Sequence, residues 1–367
     1  MRLSVCMIVK NAEDVLDRCL SAASRFADEL IIVDTGSEDG TKKIASRYTS
    51  LLYDYTWHDS FCDARNDSFE RANGDYLMWL DADDVIDDEN VERILRLKEA
   101  AFEDADVVFT IHRNYSETGL TSYWFRDRIF RKSLHPIWTS DVHEAIPIEK
   151  SWKVIKREDI TILHKKEYIL DAGRNMRIFD RILRENRELD AHEKVTLCGE
   201  LVHDERYEEA CGLYREIQRD LSGTDLINAL HSAEPAFLAL ERYEELYALI
   251  KEAEQRSPPI AKDRFVKGVC RRYLGDLAGA AELFREAMDI PDDPLTQGII
   301  ETGYNDYYPF IRLAFIAYKM GNTEEALRNL AVAGEKYPNA PEWRLVRAKM
   351  LMETPPADPC RKSRISH

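Results

Sequence analysis

No stretch of the 367-residue chain approaches the roughly 18 consecutive apolar residues that a membrane-spanning helix requires. The opening MRLSVCMIVKNAEDV holds one arginine and a short apolar run that breaks at Lys10-Asn11. It lacks the long apolar core and small-residue cleavage site of a secretory signal, so a cytoplasmic protein is expected. Cysteine is sparse and scattered, at positions 6, 19, 62, 198, 211, 270 and 360, with no CxxC pair. That pattern excludes a disulfide framework and a thiolate zinc site, and predicts reduced, mostly buried thiols. Positive charge is also short: 51 Lys and Arg stand against 68 Asp and Glu, a net charge of −17. Phosphate-rich partners would be repelled, so neither nucleic acid nor an anionic membrane surface is expected as a partner. What remains is ordinary: 44% hydrophobic and 32% charged residues, enough in this length for two or three folded domains.

The first hundred residues alternate short β-rich runs with helical patterns. Leu3–Val9, Glu29–Val33, Leu51–Tyr55 and Asp75–Leu80 read as strands, with helical stretches at 12–24, 41–48 and 63–72 between them. The last of these helices meets Asn73-Gly74, which reads as a helix C-cap. Strand–helix–strand alternation with short loops predicts a mostly parallel, three-layer α/β sheet, Rossmann-like in character. Ligands bind such sheets outside the carboxyl ends of the strands, where the polar clusters at 10–11, 34–41 and 81–84 should converge. Residues 105–165 are aromatic-rich, with further strands expected at 106–112, 123–130 and 160–164.

Beyond Lys165 the texture becomes continuously helical and repetitive. RYEEACGLYREI, RYEELYALIKEA, DLAGAAELFREA and NTEEALRNLAVA align, with small or apolar anchors at Ala210, Leu246, Ala280 and Ala326. Four residues on come Tyr214, Ile250, Phe284 and Leu330; three further come Ile217, Ala253, Ala287 and Ala333. Anchor spacings of 36, 34 and 46 residues resemble degenerate tetratricopeptide repeats of period about 34, the long third spacing leaving room for an insertion near 292–305. The alternative is an unspecific helical bundle. The stretch from Thr354, Pro-rich and then basic, is expected to be disordered.

The residues with most chemical character are Asp81-Ala82-Asp83-Asp84, at the end of an apolar strand. Adjacent carboxylates repel, and are best tolerated where a cation binds; oxygen ligands suit Mg²⁺ or Mn²⁺. On its own the string would equally serve as an acidic loop capping the helix at Asp87-Asp88-Glu89.

Four segments in order, VCMIVKNAEDVLDRCLSAA, ELIIVDTGSEDGT, FCDARNDSFERANGDYLMWLDADD and DVHEAI, resemble the family 2 glycosyltransferases of the GT-A fold. The resemblance covers residues 1 to about 165. It implies a UDP-sugar donor and a divalent metal, Mn²⁺ or Mg²⁺. It implies that Val9, Lys10 and Asn11 sit by the nucleoside, that Asp34 binds uracil or ribose, and that Gly36, Asp39 and Thr41 shape that loop. Thr35 stands where many relatives carry a second aspartate. Arg65 would face the ribose or diphosphate, Asp81 and Ala82 the nucleotide-sugar, and Asp83 the metal, with His164 as a second metal or diphosphate ligand. Glu144 matches the position of a catalytic base, with His143 as its orienter or an acceptor contact. Alternatively, Arg65 pairs with Asp63 or Asp67, and Asp141, His143 and Glu144 form a surface trio. Tyr123, Trp124 and Trp138 are candidates either for acceptor walls or for core.

The expected architecture is a GT-A catalytic domain over residues 1–165, a linking helix over 166–195, helical repeats over 196–353 and a tail over 354–367. A GT-A domain joined to such repeats is similar to the sublancin-type bacterial peptide glycosyltransferases. The implied activity is inverting sugar transfer to a Cys, Ser or Thr side chain of a peptide or protein, the concave repeats suiting a peptide or a second copy of the chain. Two alternatives stand beside it: a cell-envelope saccharide glycosyltransferase, and a non-catalytic repeat scaffold carrying a relic domain.

Overall fold

The computed structural model describes residues 1–166 and 173–353, so the tail expected to be disordered lies outside the described residues. The chain folds into two compact units. The first comprises Met1–Ser116, Thr121–Pro258 and Asp293–Ile300; the second comprises Glu117–Leu120, Pro259–Asp292 and the chain from Glu301 onward.

The first unit opens with a sheet. Its strands are β1 (Leu3–Val9), β2 (Glu29–Asp34), β3 (Leu52–Asp54), β4 (Tyr76–Trp79), β5 (Asp84–Val85), β6 (Val107–Asn114), β7 (Ser122–Arg131) and β8 (Val154–His164). They run in the order β3-β2-β1-β4-β7-β6-β8-β5. The block β3-β2-β1-β4 is parallel throughout, as strand–helix alternation predicts. Antiparallel pairing enters at β4–β7, β7–β6 and β8–β5, so the whole sheet is mixed. The hairpin formed by β6 and β7 supplies the reversal, because a short connection can only join antiparallel neighbours.

Helices α1 (Leu16–Ala23), α2 (Thr41–Ala45), α3 (Phe61–Arg71) and α4 (Asp88–Glu99) connect the strands. In α1 the buried set Leu16, Cys19, Leu20 and Ala23 has the i, i+3, i+4, i+7 spacing of one helix face. Asp87 caps α4 by accepting from Asn90 N at 2.8 Å, a role separate from the acids at 81–84. Side chains of β1 alternate between two cores: Val5 and Met7 join α1 and α4 on one face, and Cys6 joins Ile31, Trp79 and Trp138 on the other. Burial on both faces explains why the central strands read as unbroken apolar runs.

Gly74 does not cap a helix through a left-handed backbone. A Cβ there would lie 2.5 Å from Ser4 Oγ and 2.9 Å from Arg2 O, so glycine is needed where the chain passes close to β1.

The same unit continues into α5 (Arg174–Arg184), α6 (Ala191–His203), α7 (Tyr207–Ile217), α8 (Gly223–Ala239) and α9 (Tyr243–Ala253). The second unit contains α10 (Ala261–Tyr273) and α11 (Leu277–Met288). A short helix, α12 (Pro294–Gln297), and a two-residue strand, β9 (Ile300–Glu301), fill the insertion expected near 292–305. Then come α13 (Tyr308–Lys319), α14 (Thr323–Lys336) and α15 (Glu342–Glu353). Helices pack as consecutive hairpins, α6 with α7, α8 with α9, α10 with α11 and α13 with α14. All twelve aligned repeat positions are buried, Ala210, Leu246, Ala280 and Ala326 with no exposed surface. A helical-repeat region therefore follows the GT-A-like sheet. Among the described residues, no helix is long and apolar enough to cross a membrane. Of the six described cysteines, all but Cys62 are buried.

Candidate active site

The parallel ladder brings three strand ends to one edge. Val9 is level with Asp34, and β4 runs beside β1 with Cys6 opposite Trp79. Val9, Asp34 and the Asp81–Asp84 turn therefore share the carboxyl end of the sheet.

Around Asp34 the loops are tied by polar contacts. Asn11, in the left-handed region at φ 47°, accepts from Glu38 N at 2.8 Å, and its own N–H donates to Ser37 Oγ at 2.9 Å. Gly36 takes φ 99°, a conformation open to glycine, and its N–H donates to Asp34 Oδ1 at 3.0 Å. Ser37 N adds a second donor at 2.8 Å. Asp34 has no exposed surface, yet its Oδ2 is without a partner among the described residues. Such an atom costs free energy unless something else supplies a donor, which a ligand hydroxyl or N–H would do. Asp39 holds the loop instead: it accepts from Glu13 N at 3.1 Å and Thr41 N at 3.0 Å. Thr35 closes on β1 through Val9 O.

The second cluster is centred on Arg65, which projects from α3 and is 6% exposed. Its Nε donates to Glu144 Oε1 at 2.5 Å and its Nη2 to Asp81 Oδ1 at 2.7 Å. The guanidinium also stacks on Trp79 and Trp138, at 4.7 and 5.1 Å from the ring centroids. Neither Asp63 nor Asp67 is its partner; Asp67 pairs with Arg71. Burial would lift the Asp81 carboxyl, but Arg65 and Arg128 outweigh it and hold the group well below the usual carboxylate range. Trp138 is core, 2% exposed, and so serves as a platform for Arg65 rather than an open wall. Trp124 stacks on His112 at 4.4 Å, and Arg113 lies over the Tyr123 ring at 4.4 Å.

The third cluster is acidic. Asp81, Asp84 and His164 each place one ligand atom within 4.8 Å of the others, while Asp83 Oδ1 lies 3.4 Å from His164 Nδ1. Ala82 between them is buried in the core. Asp84 is fully buried and already engaged: Oδ2 accepts from Arg128 Nη1 at 2.9 Å and Asp81 N at 3.0 Å, and Oδ1 lies 3.2 Å from His164 Nδ1. Among the described residues, Asp83 pairs with His164 and with no arginine. Burial, with Asp81 and Asp84 alongside, pushes its carboxyl up to about 6 against the opposing pull of His164. Burial would lower the His164 pKa, yet the bond to Asp84 and the charges of Asp83 and Asp81 raise it overall. Carboxylate oxygens with one imidazole suit a hard divalent cation such as Mn²⁺ or Mg²⁺, so the donor set fits one. Asp81, Asp84 and His164 are therefore the group whose atoms lie close enough together to share one cation, and Asp83 stands beside His164 at its edge.

The loop 139–145 carries Glu144 and is closed by Thr139 and Ala145, whose backbones exchange bonds at 2.8 and 3.1 Å. Glu144 joins Arg65, but His143 does not join Glu144. His143 takes φ 53° and its Nε2 lies 2.7 Å from Glu200 Oε1 on α6. Asp141 likewise turns to Arg181 on α5, at 3.0 Å. The trio therefore splits, with only Glu144 at the carboxylate cluster.

Two residues escaped sequence reasoning. Arg128 has no exposed surface and binds Asp84, Trp79 O and, at 2.8 Å, His112 Nδ1. A signal existed: Arg128 shares a strand face with the buried Phe130, and a buried arginine demands an acid. His112, pushed down to about 3 by burial and then by Arg128, stays neutral and accepts a hydrogen bond from Arg128 Nη2 at Nδ1.

Residues 4–157 match the glycosyl transferase family 2, about two-fifths of the chain. A TPR repeat-containing protein of Synechococcus elongatus is 32% identical over 145 residues, 40% of this chain and 35% of that protein. The undecaprenyl-phosphate 4-deoxy-4-formamido-L-arabinose transferase of Aeromonas hydrophila is 32% identical over 140 residues, 34% of this chain and 39% of the enzyme. The chain thus spans little more than a third of these relatives' lengths. Among solved structures, residues 1–349 of S. aureus TarS in complex with UDP align at 14% identity and TM-score 0.37, covering 80% of this chain and 93% of that one.

Proposed function

We propose that this chain, whose residues 4–157 form a family 2 glycosyltransferase domain, transfers a sugar from a UDP-sugar to a Cys, Ser or Thr side chain of a peptide or protein, with inversion. The observation that carries the reading is Arg65, buried between Asp81 and Glu144 at the carboxyl edge of the sheet. One guanidinium ties the nucleotide end of the site to the carboxylate of the reacting end. Its Nη1 has no partner among the described residues and is left to meet a diphosphate oxygen. Asp34 Oδ2 is left to meet a uracil or ribose donor. Asp83 and His164 would hold Mn²⁺ or Mg²⁺, which would supply positive charge at the departing diphosphate. Glu144 accepts the proton of the incoming hydroxyl or thiol as that atom bonds to the anomeric carbon. The bond from this carbon to the phosphate oxygen breaks and its electrons leave with UDP. One carboxylate acting as base supports a single displacement.

A cell-envelope saccharide acceptor is the second reading, favoured by the similarity to the Aeromonas undecaprenyl-phosphate transferase. Titration calorimetry with UDP, with and without Mn²⁺, tests the donor site. We expect UDP binding strengthened at least about tenfold by Mn²⁺, with the gain lost in Asp83→Ala. Absence of UDP binding at millimolar concentration would leave the scaffold reading standing. A panel of UDP-sugars with Ser, Cys and saccharide acceptors then separates the two transferase readings.

A further inference from the structure

Within the second unit, a ring of α10 meets rings at the start of α13 and just before it. Phe265 lies 5.9 Å from Tyr308 and 5.2 Å from Tyr304, and Tyr304 lies 5.1 Å from Tyr308. On the same faces sit two arginines. Arg272, seven residues after Phe265, stacks on Tyr273 at 4.3 Å and on Phe315 of α13 at 5.1 Å. Arg312, four residues after Tyr308, lies 5.8 Å from the Phe265 ring.

Neither arginine has an ion pair among the described residues, although this chain carries 17 more acidic than basic side chains. Four acids of the second unit are engaged with other groups. Glu301 pairs with Lys262 at 2.6 Å, Asp276 with Arg271 at 2.5 Å and Glu286 with Arg264 at 3.2 Å. Glu342 accepts from Tyr307 at 3.0 Å. Both arginines are half-buried, and Arg272 Nε is buried without a partner. Burial, with Arg272 close by, lowers the Arg312 pKa, the direction expected of a guanidinium that no anion compensates.

We propose that α10 and α13 carry a binding site for a carboxylate-rich peptide segment, with Arg272 and Arg312 anchoring its acids and Phe265, Tyr304 and Tyr308 as the apolar floor. A carboxylate bridging the two guanidinia relieves their mutual repulsion and gains charge-assisted hydrogen bonds in a partly desolvated place. Aromatic rings beside them accept the apolar parts of the same segment. Over most of this acidic chain such a peptide is repelled, so recognition must be local. The inference does not rest on the transferase reading, and its test needs no catalysis.

The probe is a short fluorescein-labelled peptide alternating Glu and Tyr, titrated with the full chain and followed by anisotropy. We expect saturable binding with Kd at or below about 100 µM. Binding should weaken at least about tenfold for the matching Gln–Tyr peptide, and as much for Arg272→Gln/Arg312→Gln. Arg272→Lys/Arg312→Lys keeps the charge and should retain most of the affinity. Should the double Gln variant unfold, the single Arg272→Gln decides, since Tyr273 and Arg272 lie at the end of α10. No saturable binding, equal binding of the two peptides, or no effect of removing the arginine charge would each overturn the proposal.

Discussion

Arg128 Nη1 lies 2.9 Å from Asp84 Oδ2, and neither side chain has any exposed surface. The pair sits beneath the acidic turn, 44 residues apart in sequence, and the same guanidinium reaches Trp79 O and His112. Removing one partner of a buried pair strands the other charge in a medium that cannot solvate it. Arg128→Met should therefore cost about 3–5 kcal/mol of stability. Arg128→Met/Asp84→Asn, which leaves no orphaned charge, should cost less. Urea unfolding of the three proteins measures this, and a single-variant loss under about 1 kcal/mol would refute the account.

His112 titrates in the opposite sense to a surface histidine. Its pKa falls from 6.5 to about 3 on folding, through burial and then Arg128. Between these values the unfolded chain binds a proton that the folded chain does not. The stability this provides is complete above pH 6.5 and is lost progressively as pH falls towards 3, at up to about 1.4 kcal/mol per pH unit. His112→Gln should flatten that slope between pH 6.5 and 4.5 in denaturant titrations. An unchanged slope would mean that His112 is not the group responsible.

Glu144 separates the acceptor classes of the proposed reaction. A hydroxyl needs a positioned base, whereas a thiol is already a few per cent thiolate near neutral pH. Glu144→Gln should cut transfer to serine by about 10²–10⁴-fold and transfer to cysteine much less, with recovery as pH rises. Because Gln can still accept from Arg65 Nε, UDP affinity should change little. The measurement is kcat for matched Ser and Cys peptides across pH 6.5–9. Equal losses would assign Glu144 to acceptor positioning, and no loss would refute Glu144 as the base.

At Gly268, α10 packs directly against Phe284 of α11. A Cβ there would lie 2.6 Å from Phe284 Cε1 and 2.8 Å from Cδ1, and Phe284 is itself fully buried. An aromatic ring in a packed site has little room to yield, so Gly268→Ala should destabilise the repeat pair by about 1–3 kcal/mol despite the better helix propensity of alanine. A stabilised variant in thermal unfolding would show that the two helices can part at small cost.

Much of the site was legible because its residues stand at strand ends. Asp34, Gly36 and Asp81 follow apolar runs, and parallel pairing in the order β3-β2-β1-β4 delivers those ends to one edge. Gly74 was misjudged as a helix cap, since the close pass of the chain over Ser4 and Arg2 is invisible in local pattern. His143 and Glu144 are neighbours in sequence, yet a left-handed backbone at His143 sends one to Glu200 and leaves the other on Arg65.

Sequence by itself determined what depends on period and local stereochemistry. The alternating strands and helices of the first hundred residues belong here, as do the four helix hairpins whose twelve aligned positions are all buried. Those features follow from which side chains must leave water, and a repeating pattern records that directly. Only the tertiary structure decided which charges meet: Arg65 with Glu144 across 79 residues, and His164 with Asp84 across 80. Such pairings depend on strand order and on the mixed half of the sheet, where β7 inserts beside β4 and carries Arg128 beneath the acidic turn. A charge buried in a low-dielectric interior must find a partner, but nothing local in the chain specifies which one.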